Sequence, residues 1–216
     1  MSKAFTFLPL GAIIQEFNVN GVNIVQGFKT AEQYKQYNGP YFGETIGRIA
    51  NRVAKGKFEL NGRTHQLPIN NGPNSLHGGE KGWGKCEFEG PVNVERNGED
   101  AVLFKYLSKD GEEGYPGTVQ VSVWYVQKKE QVNGAQQEVL YIEYEAELVG
   151  DEVEETAINM TNHRYVLQKS WHFKPLLIYM KLLQPDREAV DCRYRRHTDY
   201  QQVPSRGRWW YSYRSH

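Results

Sequence analysis

Three polar side chains stand where this chain turns or ends a strand: Arg52, His77 and His163. A guanidinium can clamp two oxygens of a polar substrate at once. An imidazole can take or give a proton near neutral pH. His77 lies in Asn70-Asn71-Gly72-Pro73-Asn74-Ser75-Leu76-His77-Gly78-Gly79. Gly and Pro break a helix there, and the asparagines compete for backbone hydrogen bonds. The stretch is expected to be a tightly turned loop that holds one imidazole against closely approaching backbone. Two readings of His77 stay open: a catalytic group, or a histidine bonded to its own loop. Arg48 and Arg52 are four apart around Asn51; in a strand that spacing puts both on one face, as a substrate clamp or as a solvated surface pair. His163 follows Thr161-Asn162 at the end of an expected strand, which suits a site residue or an edge cap. His65 is expected to be exposed in a hairpin. Asp110, Glu112 and Glu113 read as a solvated acidic loop or the rim of a polar pocket.

Other chemistries find little support. His77 and His163 have no Cys, His or Asp partner at ligand spacing, so no metal is expected. Gly78-Gly79-Glu80-Lys81-Gly82 lacks the phosphate-loop and dinucleotide patterns, and there is no Gly-x-Ser-x-Gly elbow. Two cysteines, Cys86 and Cys192, read as free thiols of a reducing compartment.

The elements that must position these residues read as strands. Asn20-Gly21 and Asn61-Gly62, each between apolar strands, mark hairpins over residues 5–25 and 58–67. Between the hairpins, Ala31–Tyr37 is a candidate short helix. Ala101–Leu107, Val119–Val126, Leu140–Leu148 and Thr156–Asn162 are candidate strands. In the third, Leu140, Ile142, Tyr144, Ala146 and Leu148 share one face and four polar or amphipathic side chains the other. Many strands, few helices and recurrent glycine turns make the chain all-β, a sandwich or barrel.

The 216 residues balance 26 basic against 26 acidic groups, which argues against a nucleic-acid or membrane-surface protein on global charge. No run reaches the ~18 apolar residues of a membrane span. The N-terminus shows no extended apolar segment, so a soluble, cytoplasmic chain is expected. The balance conceals a split at His163. The 53 residues after it carry eleven Lys or Arg and four Asp or Glu, a net of +7, leaving −7 before it. Of 21 glycines only Gly207 lies beyond His163, but three of five tryptophans do. Cations alternate with aromatics in this tail, which would suit single-stranded nucleic acid; the −7 elsewhere disfavours that reading. No stretch of the tail is expected to supply a strand that pairs with the earlier ones.

The segment Gly43-Glu44-Thr45-Ile46-Gly47-Arg48-Ile49-Ala50-Asn51-Arg52-Val53, then Asn71 to Gly79, closely resembles the aldose 1-epimerase (galactose mutarotase) family. So do Gly82-Trp83, Asp110 to Gly117 and Thr156 to His163, all in the family's order and together spanning roughly residues 5–163. The resemblance implies an antiparallel β-supersandwich that binds free aldohexoses, galactose or glucose, in a cleft. It implies interconversion of the α and β anomers by acid–base ring opening, with no cofactor because only protons move. Arg52 and His77 match the family's substrate-binding arginine and first histidine, with His77 helping to polarise the ring oxygen. His163 matches the second histidine, the general acid, and Asn51 would also contact the sugar.

Beyond His163 the resemblance stops. Arg164-Tyr165-Val166-Leu167-Gln168 stands where the family has Ser-Tyr-Phe-Asn-Leu, and only Tyr165 keeps step. No motif in residues 164–216 matches the family's later sugar-binding Asp or its general-base Glu. The expectation is an N-terminal part of a mutarotase-like domain over residues 1–163. Residues 164–216 then form an aberrant basic tail, irregular or disordered, on an apparently truncated chain of impaired activity. Two alternatives stand beside it: a rearranged but functional C-terminal half, and a non-catalytic carbohydrate-binding or regulatory protein on the same scaffold.

Overall fold

The computed structural model describes residues 4–19, 21–132, 134–165, 178–184 and 187–193. In chain order the elements are β1 (Phe5–Leu8), β2 (Ile13–Val19), β3 (Val22–Asn23), α1 (Ala31–Tyr37), β4 (Glu44–Ile46), β5 (Val53–Ala54), β6 (Lys57–Leu60), β7 (Arg63–Gln66), β8 (Asn74–Ser75), β9 (Glu89–Arg96), β10 (Glu99–Ser108), β11 (Val119–Val132), β12 (Ala135–Leu148), β13 (Thr161–His163), β14 (Ile178–Gln184) and β15 (Arg187–Arg193). Among the described residues the architecture is all-β and antiparallel apart from the β12–β14 pair and the isolated bridge of Ile49 with Asn159.

Two sheets make the core. β1, β2 and β3 form a meander, and β15-β14-β12-β11-β10-β9 form a six-stranded sheet. The period-two pattern decides which side chains meet. Val121, Val123 and Tyr125 of β11 are fully buried beside Leu140, Ile142 and Tyr144 of β12. The register explains this, since Val123 lies opposite Tyr144 and Tyr125 opposite Ile142. The meander packs its aromatics onto that face, with Phe7 stacked on Tyr125 at 4.4 Å between ring centroids. The outer face is polar: Arg96 lies 4.2 Å over Trp124 and pairs with Glu143 at 3.1 Å and with Glu145.

Both Asn-Gly hairpins form, as β2–β3 and β6–β7. Asn61 and Gly62 adopt the positive φ values that this tight turn demands. α1 is the expected short helix, capped by the Thr30 side chain on the Gln33 amide with Gln33 reaching back, a capping box. Two expectations need correction. The strand over Thr156–Asn162 narrows to Thr161–His163, because residues 156–160 instead hold the loop and backbone beneath the site. In the tail, β14 runs parallel to β12 and β15 pairs with β14. Those two segments are therefore strands, not irregular chain. Ile178-Tyr179-Met180 and Leu182-Leu183 give β14 strand-forming residues, and Pro185-Asp186 is a turn signal between the two. The rest of the tail lies outside the described residues.

Candidate active site

Two short pairings assemble the site. β5 pairs antiparallel with β8, Val53 opposite Ser75. Arg52, just before β5, and His77, just after β8, therefore emerge at the same end. β4 pairs antiparallel with β13, His163 opposite Glu44. Between them the 47–50 backbone is stitched to residue 159: the Asn159 amide donates to the Arg48 carbonyl and the Ala50 amide to the Asn159 carbonyl, both at 2.8 Å. The Ala50 carbonyl in turn accepts from the His77 amide at 3.2 Å and lies 2.8 Å from His77 Nδ1.

The His77 loop is as tight as its composition requires. The Asn70 side chain accepts from the Leu76 amide at 2.8 Å and donates to the Leu76 carbonyl at 2.9 Å. Gly78 has φ of 88°, and a Cβ there would come within 1.7 Å of the Gly47 carbonyl oxygen. His77 itself has φ of 56° and Tyr41 has 61°. Non-glycine residues in that region cost about 1–3 kcal/mol each and cluster at functional sites.

The structure brings His77 and His163 together. Their ring centroids are 4.9 Å apart with planes at 84°. Both are half-buried. Tyr41 completes the group, 4.7 Å from His77 and 5.7 Å from His163. A carbonyl only accepts, so the proton of neutral His77 sits on Nδ1 and its Nε2 keeps a lone pair. Burial pushes the His77 imidazole below its usual range. The Ala50 carbonyl opposes this, and the cations of His163, Arg52 and Lys85 add to it. Arg52 is exposed, its Nε donating to Asn71 Oδ1 at 2.9 Å. Among the described residues this is the one hydrogen bond of the Arg52 guanidinium. Asn51 is exposed beside it.

Other candidates turn out to be scaffold. Arg48 does not share a face with Arg52, since residues 47–52 are not a strand. Its side chain is buried and donates to Ser108 Oγ at 2.9 Å, to Thr156 Oγ1 at 3.3 Å, and to the carbonyls of Ser108, Lys109, Pro116 and Gly117 at 2.8–3.1 Å. Of the three acidic side chains of the 110–117 loop only Asp110 is exposed; Glu112 and Glu113 are half-buried and bonded to the scaffold. Glu113 accepts from the amides of Glu80, Lys81 and Gly82 at 2.9–3.2 Å and so anchors the chain after His77. Glu112 accepts from Tyr106, Ser108 and the Trp83 indole. Asp110 accepts from the Gly117 amide at 2.5 Å. His65 is half-buried and stacked on Phe58 at 5.1 Å.

Tyr41, Asn71, Lys85 and Glu44 are neighbours of the site that residue types alone did not single out. The Asn38-Gly39-Pro40 turn signal before Tyr41 was the one local hint. Just past the site, Arg164 is pressed toward Tyr144 and Tyr125; burial pushes its guanidinium down to about 10, and its Nε has no partner among the described residues. Among those residues no group of three or more His, Cys, Asp or Glu is placed to hold a metal, and no helix is long and apolar enough to cross a membrane.

The family model described as aldose 1-epimerase matches residues 3–167. Galactose mutarotase of Bos taurus is 44% identical over 143 residues, 66% of this chain and 36% of that protein. The bifunctional protein GAL10 of Pachysolen tannophilus is 39% identical over 159 residues, 72% of this chain and 22% of that protein. The chain thus spans about a third or less of the length of these relatives. The crystal structure of galactose 1-epimerase from Lactobacillus acidophilus superposes with a TM-score of 0.58 at 23% identity, over 77% of this chain and 47% of that one. That likeness is one of fold. The chain belongs to the aldose 1-epimerase family.

Proposed function

We propose that this member of the aldose 1-epimerase family binds a free aldohexose, galactose or glucose, across Arg52, Asn51, His77 and His163, and interconverts its anomers slowly. The observation that carries the reading is the pair of imidazoles set at right angles at the end of the fold where Arg52 emerges. Arg52, steadied by Asn71, and Asn51 beside it offer donors to sugar hydroxyls. His77 Nε2, its ring fixed by the Ala50 carbonyl, accepts from a sugar hydroxyl. His163 protonates the ring oxygen as water takes the proton of the C1 hydroxyl. The ring opens to an aldehyde, C1 turns, and closure gives the other anomer. Only protons move, so the reaction asks for no cofactor. We place it in the cytoplasm, where the unpaired Cys86 thiol stays reduced.

The slowness follows from what faces the imidazoles. The charges acting on His77 are all positive. The carboxylates of Glu44, Glu112 and Glu113 are committed to other partners. The proton on the C1 hydroxyl therefore has no carboxylate acceptor among these groups, and loss of a general base slows such reactions about 10²–10⁴-fold. The same observation favours a second reading, a carbohydrate-binding protein that does not turn over. Residues 164–216 count here as a tail beyond the family-like part of residues 1–163, although β14 and β15 extend its six-stranded sheet.

Calorimetry with galactose and glucose, and polarimetry starting from α-D-galactose, test both readings. Saturable binding is expected, weakened about ten- to hundredfold in Arg52→Ala by loss of charged hydrogen bonds, with mutarotation far slower than that of a full-length relative. If neither sugar binds saturably, the sugar site is wrong. Turnover matching the full-length relative would remove the impairment. Binding with no acceleration over the spontaneous rate selects the second reading.

A further inference from the structure

We propose that Tyr41, seated on a buried knot of Asn38, Glu44 and Lys85, is a positioning residue for the sugar site: its ring holds the His77 and His163 imidazoles in their perpendicular arrangement. The inference rests on the proposed sugar-binding reading for what those imidazoles then do.

The knot draws on three separate elements and converges on one ring. Asn38, the C-terminal cap of α1, is 3% exposed. Its side-chain oxygen accepts from the Phe42 amide at 2.8 Å, and its nitrogen donates to the Phe42 carbonyl at 3.2 Å and to Glu44 Oε1 at 2.7 Å. The Tyr41 amide donates to the Asn38 carbonyl at 3.3 Å. Asn38 thereby clamps the turn on both sides of Tyr41 and holds it at its positive φ. Lys85, from the 3-10 turn Trp83–Lys85, donates to the Asn38 carbonyl at 2.6 Å and to Glu44 Oε1. Its Nζ lies 4.6 Å from the Tyr41 ring centroid, a cation–π contact that fixes the ring from below.

The knot is costly to build. Glu44 is fully buried on β4, and its second oxygen, Oε2, has no hydrogen-bond partner among the described residues. Gly84 makes room for it, since a Cβ there would lie 2.0 Å from that oxygen. A buried carboxylate with half its acceptors unused adds little net stability. A polar knot that fixes one geometry is what such an expense commonly secures. The geometry fixed here is that of the ring touching both imidazoles.

Electrostatics agrees. Burial is the main cause that disfavours the charged form of His77, the Ala50 carbonyl opposes it, and His163, Arg52 and Lys85 add to it. Glu44, Glu80 and, over its ring, Lys85 are the charges facing Tyr41, whose hydroxyl is pushed up chiefly by burial. Lys85 therefore serves twice: it holds the ring and helps keep His77 neutral.

Imidazole titrations by NMR and galactose calorimetry on the full chain test the proposal with Tyr41→Leu, Tyr41→Phe and Lys85→Met. Tyr41→Leu is expected to weaken galactose binding about ten- to hundredfold through misplaced binding groups and to shift both imidazole resonances. Tyr41→Phe, which keeps the ring, should restore both near the wild-type values. Lys85→Met should weaken binding and raise the titration midpoint of His77. A folded Tyr41→Leu protein with unchanged affinity and unchanged imidazoles overturns the proposal. So does a Tyr41→Phe protein as damaged as Tyr41→Leu, which would make the hydroxyl the working group. Should Tyr41→Leu not fold, Lys85→Met decides by the same two readouts. If wild-type protein binds no galactose, the sugar reading falls, and the imidazole titrations still judge the positioning role.

Discussion

Arg48 and Arg52, four residues apart, do opposite work. Arg48 is 1% exposed and spends its N–H groups on the 108–117 segment and Thr156. Arg52 is exposed and makes one bond, to Asn71. Arg48→Met is expected to lower unfolding free energy by at least about 3 kcal/mol, since several buried acceptors lose their donor. Arg48→Lys should not restore it, because an ammonium cannot replace a planar fork of five donors. Arg52→Ala should change stability by no more than about 0.5 kcal/mol while weakening sugar binding. Urea unfolding of the three variants checks this. The residue types marked both arginines, but nothing local separated them. The partners of Arg48 lie 60 to 108 positions away.

The long strands are the most legible elements. β12 alternates as its residues demand, Leu140, Ile142 and Tyr144 facing the core and Glu147 exposed. Ile142→Ala is expected to cost about 2–5 kcal/mol, whereas Lys105→Ala on the exposed face of β10, beyond β11 in the same sheet, should stay within about 0.5 kcal/mol. Equal shifts in urea midpoint for the two would contradict the face assignment. β9 escaped the pattern because it is an edge strand. Its Pro91 and its Glu89, Glu95 and Arg96 are what an unpaired edge carries to discourage further pairing, and they mask the strand signal. β13 is only three residues long, and so short a strand is set by its partner β4 and not by its own alternation.

Across the whole molecule, two groups at the site set opposing pH dependences. Burial raises the Glu44 carboxyl to about 7, against the pull of Lys85 and Asn38. A raised acid contributes its full stability below its ordinary value of 4.5 and loses it as pH rises through about 7. Burial lowers His77, so its contribution is present above its ordinary 6.5 and is lost as pH falls through the depressed value. Between about pH 4.5 and 7 the two trends run against each other and partly cancel in the melting temperature. In that window Glu44→Gln should leave a melting temperature that rises with pH and His77→Gln one that falls with pH; calorimetric scans from pH 5 to 8 showing an unchanged profile in both variants would mean that neither group matters. The all-β class, both hairpins, the short helix and the family were legible in the sequence alone, which also singled out Arg52, His77 and His163 as candidates. These are local properties, carried by turn chemistry, alternation and the order of motifs. Register and packing alone show that the two imidazoles meet at a right angle, that Tyr41 lies against both, that Arg48 is scaffold, and that Glu44 is paired with Lys85. A residue's charge and turn preference are its own, but its partner is chosen by sheet register, and His163 meets Glu44 only because β13 pairs with a strand 119 residues earlier.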